Sequence, residues 1–215
     1  FGLPGGEAAI NRPARILASL VPDLPGLEDL LVSREAAADR EAAAVVREQV
    51  TRGVNVPETT SAGRFLDAMS ALLDVSTVRH YEGEPAMKLE AMAADGDPMP
   101  LDVPFTNRAG TRVLDASRLA EAIAELARNE PTPDVAATVQ AALADGLSEI
   151  AIGVADDRDL DAVGFTGGVA YNDAILRRIR RRVQTAGLRL LSHTAVPPGD
   201  AGISYGQTVV TAKRS

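Results

Sequence analysis

Apolar positions recur at helical spacing along most of this chain and tighten into four short strand-like runs after residue 100. The opening "FGLPGGEAAINRPARIL" is rich in glycine and proline, and residues 15–20 then read as a short helix. "REAAADREAAAVVREQV", residues 34–50, is nearly all Ala, Glu, Arg and Val and predicts a longer one. Gly53 should stop it, with Pro57 marking the break. In "TTSAGRFLDAMSALLDV", Thr60 or Ser61 is placed to cap a helix. Phe65, Met69, Leu72 and Leu73 follow at the spacing of its buried stripe. "YEGEPAMKLEAMAAD", residues 81–95, predicts another helix, with Pro85 acceptable in its first turn.

Strand-like runs begin with "LDVPF" and "TRVLD", which flank the turn "NRAG". Helices are expected over 116–129 and 132–152. "AVGFT" then reads as a buried strand, 173–185 as a helix, "LRLLSH" as a strand and 200–213 as a last helix. The end of the chain is therefore a βαβ pattern. The whole divides into a helical subdomain, 1–98, and an α/β lobe, 99–215.

Composition refines this picture. A hydrophobic fraction of 46% supports a core, but aromatics are only 3%, so the core rests on Ala, Leu, Val and Ile. A net charge of −8 and a pI near 4.8 speak against a nucleic-acid partner. The basic run "RRIRRR", 177–182, reads as a solvated helix face. The absence of cysteine excludes disulfides, thiolate metal sites and a cysteine nucleophile. No membrane partner is expected, because no apolar stretch is read as reaching the roughly 18 residues of a span. No signal peptide is visible, and a cytoplasmic location is expected. The start, without Met and in mid-pattern, reads as that of a fragment or processed product.

Four places carry candidate chemistry. Gly167 and Gly168 lie between a strand and a helix, where backbone can approach an anion or simply make a tight turn. Asn172, four residues after Gly168, can read a nucleotide or cap the helix. Asp200 in "PPGDAGISYGQ" is either an N-cap or a carboxylate at the ligand edge of an α/β sheet, and the small residues after it leave room for a ligand or for close packing. Asp67 falls off the apolar stripe of its helix beside Gly63, Ser70 and Ala71; it is either a solvated acid or a two-acceptor partner for a sugar. His80 and His193 are far apart, in no metal-ligand spacing, and read as structural.

"LPGGEAAINRPAR", "TTSAGRFLDAMSALL", "YEGEPAMKLEAMA", "FTGGVAYN" and "VPPGDAGISYGQ" occur in that order. Together they resemble the C-terminal half of the HypF family of carbamoyltransferases, from Leu3 to about Val210. Each motif by itself is unspecific; the combination is not. The resemblance implies the second lobe of an actin-like ATPase (ribonuclease H-like) fold, an α/β class, with a largely helical N-terminal portion. It implies transfer of a carbamoyl group from carbamoyl-adenylate, made from ATP and carbamoyl phosphate in another domain, to the C-terminal cysteine of a HypE-like acceptor. That step leads to the cyanide ligands of nickel–iron hydrogenase. By the same resemblance, Gly167 and Gly168 lie against the adenine nucleotide, Asp67 contacts the ribose, and Gly83 lies close to the same nucleoside. Asp200 is the implied catalytic residue and binds a divalent metal, zinc or iron, together with two histidines of an HxxxH-type motif. This chain has no such motif, so by itself it is expected to be inactive. The alternatives are another carbamoyl- or threonylcarbamoyltransferase of the same group, or a non-catalytic lobe that holds a nucleotide or a partner. The "GDAGISYGQ" ending and the acidic balance favour the first reading over a tRNA enzyme.

Overall fold

A computed structural model describes residues 1–214 and divides them into two compact units, 1–142 and 143–214. The first unit is mostly helical. It holds α1 (Glu7–Asn11), α2 (Leu17–Leu20), α3 (Leu27–Ser33), α4 (Arg40–Arg52), α5 (Ala62–Leu72) and α6 (Glu84–Ala93), and after them a hairpin of β1 (Phe105–Arg108) and β2 (Thr111–Leu114). α7 (Ala116–Leu126) and the first part of α8 (Thr132–Asp157) complete it. Its core is aliphatic, with Ile16, Leu17, Leu20, Leu31, Met69, Leu89 and Ile123 fully buried. Aromatics are scarce, so branched side chains fill the space.

Two differences from the sequence reading lie here. α3 was not foreseen, and the helix expected over 34–50 starts only at Arg40. The cause is a Schellman ending on α3. Glu35 takes φ 56°, its N–H donates to Val32 O (3.1 Å), and Ala36 N–H donates to Leu31 O (2.8 Å). Such endings are usually marked by glycine, and glutamate gives no such signal. Asp39 then begins α4 by accepting from Ala42 N–H at 2.8 Å. Gly53 ends α4 in the left-handed region, as expected.

α5 is capped by Ser61, as expected, but it has no solvent face: every residue from Phe65 to Leu72 is buried, whereas Leu73 is only partly so. It packs against α6, α7 and the turn at residues 13–16. A stripe of four apolar residues therefore understates its burial. A boundary at 98/99 does not coincide with the division into compact units. Residues 96–99 are fastened to the start of α8: Asp97 N–H donates to Asp134 Oδ1 and Met99 N–H to Thr138 Oγ1, both at 2.9 Å. The contact boundary accordingly falls inside α8.

The second unit holds the rest of α8, β3 (Ala162–Phe165), α9 (Asp173–Thr185), β4 (Arg189–Ser192) and α10 (Ile203–Arg214). β3 and β4 pair in parallel, Ala162 opposite Arg189 and Phe165 opposite Ser192, which makes the expected βαβ. α9 closes one face of this ribbon with Ile175, Ile179 and Val183. β3 is only half-buried, not a buried strand, because two strands and one helix cover a single face.

The arginine run is not a free solvated face. Arg178 makes a bidentate pair with Asp145 at 2.7 Å on both oxygens, and Arg182 approaches the same carboxylate at 3.6 Å. Arg177 pairs with Asp173, and Arg180 donates to Ser192 Oγ. α8 also corrects the membrane reading. It is long and apolar enough to cross a bilayer, but 67% of its apolar window is buried inside the protein, as in a core helix.

Candidate functional site

In the first unit the candidate site centres on Asp67. Its helix is buried on every side from Phe65 to Leu72, so the carboxylate is fully covered rather than solvated. Arg64, one turn earlier, brings Nη2 to 2.7 Å from Oδ2. Neither carboxylate oxygen accepts an aligned hydrogen bond, and the buried Ser70 hydroxyl one turn on is also without a partner. Burial pushes the Asp67 carboxyl up to about 6; the positive charges of Arg64 and Arg79 pull the other way and do not cancel it. A covered acid with unsatisfied oxygens is costly to fold around, and such groups are concentrated where a ligand or a reaction uses them.

Gly83 stands at the start of α6 with φ 78°, a conformation that favours glycine. The next residue, Glu84, is buried and densely partnered. Its Oε1 accepts from Lys88 Nζ (2.7 Å), and its Oε2 accepts from the His80 backbone N–H (2.6 Å) and faces His80 Nδ1 (3.1 Å). The bonds from Lys88 and the His80 backbone hold this carboxyl down at about 2. His80 is thus structural. Glu84 and Lys88 were not singled out by the sequence reading, although His80, Glu84 and Lys88 recur at a spacing of four. Arg64 was likewise missed, and its signal was its place three residues before Asp67.

In the second unit the glycine motif forms a turn rather than the start of α9. Gly167 (φ 96°, ψ 177°) leads into a 3-10 turn, Gly168–Tyr171, and α9 begins only after Asn172. Gly167 needs its glycine for that backbone. Gly168 lies outside the left-handed region, and a Cβ added at either position would meet nothing within 4 Å. Backbone geometry and crowding therefore leave Gly168 unexplained. Asn172 resolves to a cap: its Oδ1 accepts from Ile175 N–H at 2.9 Å, and the residue is buried.

Three hydrogen bonds join the turn to the loop after β4. Gly167 N–H donates to Pro198 O (2.9 Å), Thr166 Oγ1 donates to the same oxygen (3.1 Å), and Thr166 Oγ1 lies 2.8 Å from His193 Nε2. Gly199 packs so tightly on Tyr171 that a Cβ would stand 2.8 Å from the ring. A Cβ on Gly202 would stand 2.4 Å from Pro197 O. Gly199 and Gly202 thus serve close packing, whereas Gly206 is open; Asp200 lies two residues after Pro198, whose carbonyl is bonded to the glycine turn. Asp200 is exposed and is the first residue of a short turn, Asp200–Gly202, before α10. It is not the N-cap: Gly199 occupies that place, and its carbonyl accepts from Gly202 N–H.

The structure thus groups Gly167, Gly168, Asn172 and Asp200 in one unit and Asp67 with Gly83 in the other. Among the described residues no three His, Asp or Glu side chains gather as a metal would need, and one exposed carboxylate does not hold such an ion.

A family model described as "Carbamoyltransferase, Kae1-like Domain, second subdomain" matches residues 1–207. The probable carbamoyltransferase HypF of Methanocaldococcus jannaschii is 33% identical over 207 residues, which is 95% of this chain and 27% of that protein. The crystal structure of T. kodakarensis HypF superposes with a TM-score of 0.84 at 33% identity, over 98% of this chain and 28% of that one. A full-length HypF in a phosphate- and nucleotide-bound form superposes with a TM-score of 0.85 at 25% identity, over 99% of this chain and 28% of that one. The chain therefore spans little more than a quarter of the length of these relatives.

Proposed function

The chain belongs to the HypF carbamoyltransferase family, in the second subdomain of its Kae1-like domain, and on that premise we propose that it holds an adenine nucleotide for carbamoyl transfer. The nucleotide is carbamoyl-adenylate before the transfer and AMP after it. The acceptor is a cysteine thiolate of a HypE-like partner. This chain contains no cysteine, so the nucleophile comes from outside it. As the thiolate attacks the carbamoyl carbon, a C–S bond forms and the bond from that carbon to the AMP phosphate oxygen breaks. AMP leaves with the electron pair. Dehydration of the thiocarbamate then gives a thiocyanate, the source of the carbon–nitrogen unit of the cyanide ligands of a nickel–iron hydrogenase, in the cytoplasm.

In this reading the Gly167–Gly168 turn of the second unit lies against the nucleotide. Asp67 and Gly83, in the first unit, are candidates for ribose and nucleoside contacts by family resemblance, and Asp67 is covered and ion-paired to Arg64. Asp200 faces the transferred group from the neighbouring loop. A metal does not fit this chain's own residues, and no step here passes through one. Turnover is accordingly not assigned to this chain alone.

The observation that carries the reading is the superposition on a HypF in a phosphate- and nucleotide-bound form over 99% of this chain. Gly168 accords with it: its backbone is ordinary and its surroundings are open, which leaves space for a ligand, although Gly153, Gly164 and Gly206 are equally open. Isothermal titration of the chain with AMP tests it. Gly168→Val should weaken binding by more than about tenfold, and Gly168→Ala by less, with the melting temperature kept. Equal binding by the parent and Gly168→Val would put the nucleotide elsewhere.

A further inference from the structure

The hydrogen bonds at Pro198 constrain one another. The Pro198 carbonyl oxygen has two lone pairs, and Gly167 N–H and Thr166 O–H occupy both. A threonine hydroxyl has a single proton, and a carbonyl can only accept. Once that proton is directed to Pro198, Thr166 Oγ1 can only accept from His193. His193 must therefore carry its proton on Nε2, and a neutral ring leaves Nδ1 as the acceptor. The result is one directed chain: His193 Nε2–H to Thr166 Oγ1–H to the Pro198 carbonyl, which also receives the Gly167 N–H.

We propose that Thr166 and His193 are positioning residues that lock the loop 193–200 onto the glycine turn, so that Gly167 and Asp200 keep a fixed spacing. The lock has a packing component, because Gly199 lies directly against the Tyr171 ring, which a Cβ would approach to 2.8 Å. It sits at the surface, where Thr166 and His193 are exposed and a ligand can reach the turn. Its consequence for binding rests on the nucleotide reading of the Gly167–Gly168 turn. A nucleotide at the turn is presented to the Asp200 segment in one geometry only, and the loop is already ordered when it arrives.

Thr166→Val keeps the shape of the side chain and removes the hydroxyl, whereas Thr166→Ser keeps the hydroxyl. Nitrogen NMR of the histidine rings, with His80→Gln to assign the signals, should show the Nε2–H form of His193 in the parent and in Thr166→Ser. Thr166→Val should lose that preference. Amide exchange at Gly167 and across 193–199 should quicken about three- to tenfold in Thr166→Val and return in Thr166→Ser. AMP titration of the same proteins should show about three- to tenfold weaker binding for Thr166→Val, rescued by serine. Unchanged exchange and tautomer in Thr166→Val would overturn the lock itself. Altered exchange with unchanged AMP affinity would overturn its positioning role. Failure of the parent to bind AMP would overturn the nucleotide reading and the positioning role with it, while the tautomer and exchange data still decide whether the lock exists.

Discussion

Asp67→Asn removes a buried charge and keeps the side chain's shape, and its effect on stability should depend strongly on pH. Burial holds the Asp67 carboxyl at about 6 in the folded chain, against about 3.9 when exposed. Because the folded value is raised, the folded state binds the proton more tightly than the unfolded state. The resulting stability is fully present below about pH 3.9 and is lost as pH rises through about 6. A shift of about 2 units corresponds to about 3 kcal/mol between the two limits. The amide of the variant does not titrate, so its stability relative to the parent should rise by about 3 kcal/mol between about pH 4 and pH 8. Any fixed cost from Arg64 losing its partner cancels in this difference, since the guanidinium is charged throughout and faces a neutral group at pH 4 in both proteins. Urea melts of both at about pH 4, 6 and 8, at constant ionic strength, measure it. Glu84 does not interfere: its folded value near 2 places its own loss of stability on the acid side, as pH falls through that value, and it is present in both proteins. Parallel pH profiles would refute the claim that burial dominates at Asp67.

Two further outcomes test the second unit. Asp200→Asn, made in a full-length HypF-type protein that carries this chain, should leave the melting temperature unchanged, because Asp200 is exposed and caps nothing, yet sharply reduce carbamoyl transfer; transfer at the parental rate would remove Asp200 from the site. Asn172→Asp should retain stability because aspartate caps as well as asparagine, whereas Asn172→Ala should cost about 1 kcal/mol in chemical denaturation; equal losses would show that the cap is not what holds Asn172.

The order of elements was largely legible in the sequence, and the reasons are local. The caps Ser61 and Asn172, the stop at Gly53 and the hairpin around "NRAG" are written in residues with strong backbone preferences. The misses depend on long-range packing or on unmarked backbone. The left-handed Glu35 ends α3 without a glycine to announce it. The burial of Asp67 follows from neighbours on every side of α5, and a single-helix periodicity cannot register that. The arginine run looked solvated because Asp145, which neutralises Arg178, lies 33 residues away. At the site, Gly167 and Gly168 were legible as a turn. That Gly168 has no backbone need for glycine became visible only with the dihedral angles.

The burial of α5 on every side also bears on how this chain can change over generations. Most surface helices carry a face where substitutions are nearly neutral, and drift accumulates there. Between Phe65 and Leu72 no such face exists, and two of the eight positions are polar: Asp67, ion-paired to Arg64, and Ser70, whose hydroxyl has no hydrogen-bond partner. A larger side chain here meets a neighbour, and a smaller one leaves a cavity. The segment should therefore diverge slowly among descendants of this gene, and compensating pairs should join it to α6 and α7. α9 has more latitude, because its outer positions reach solvent.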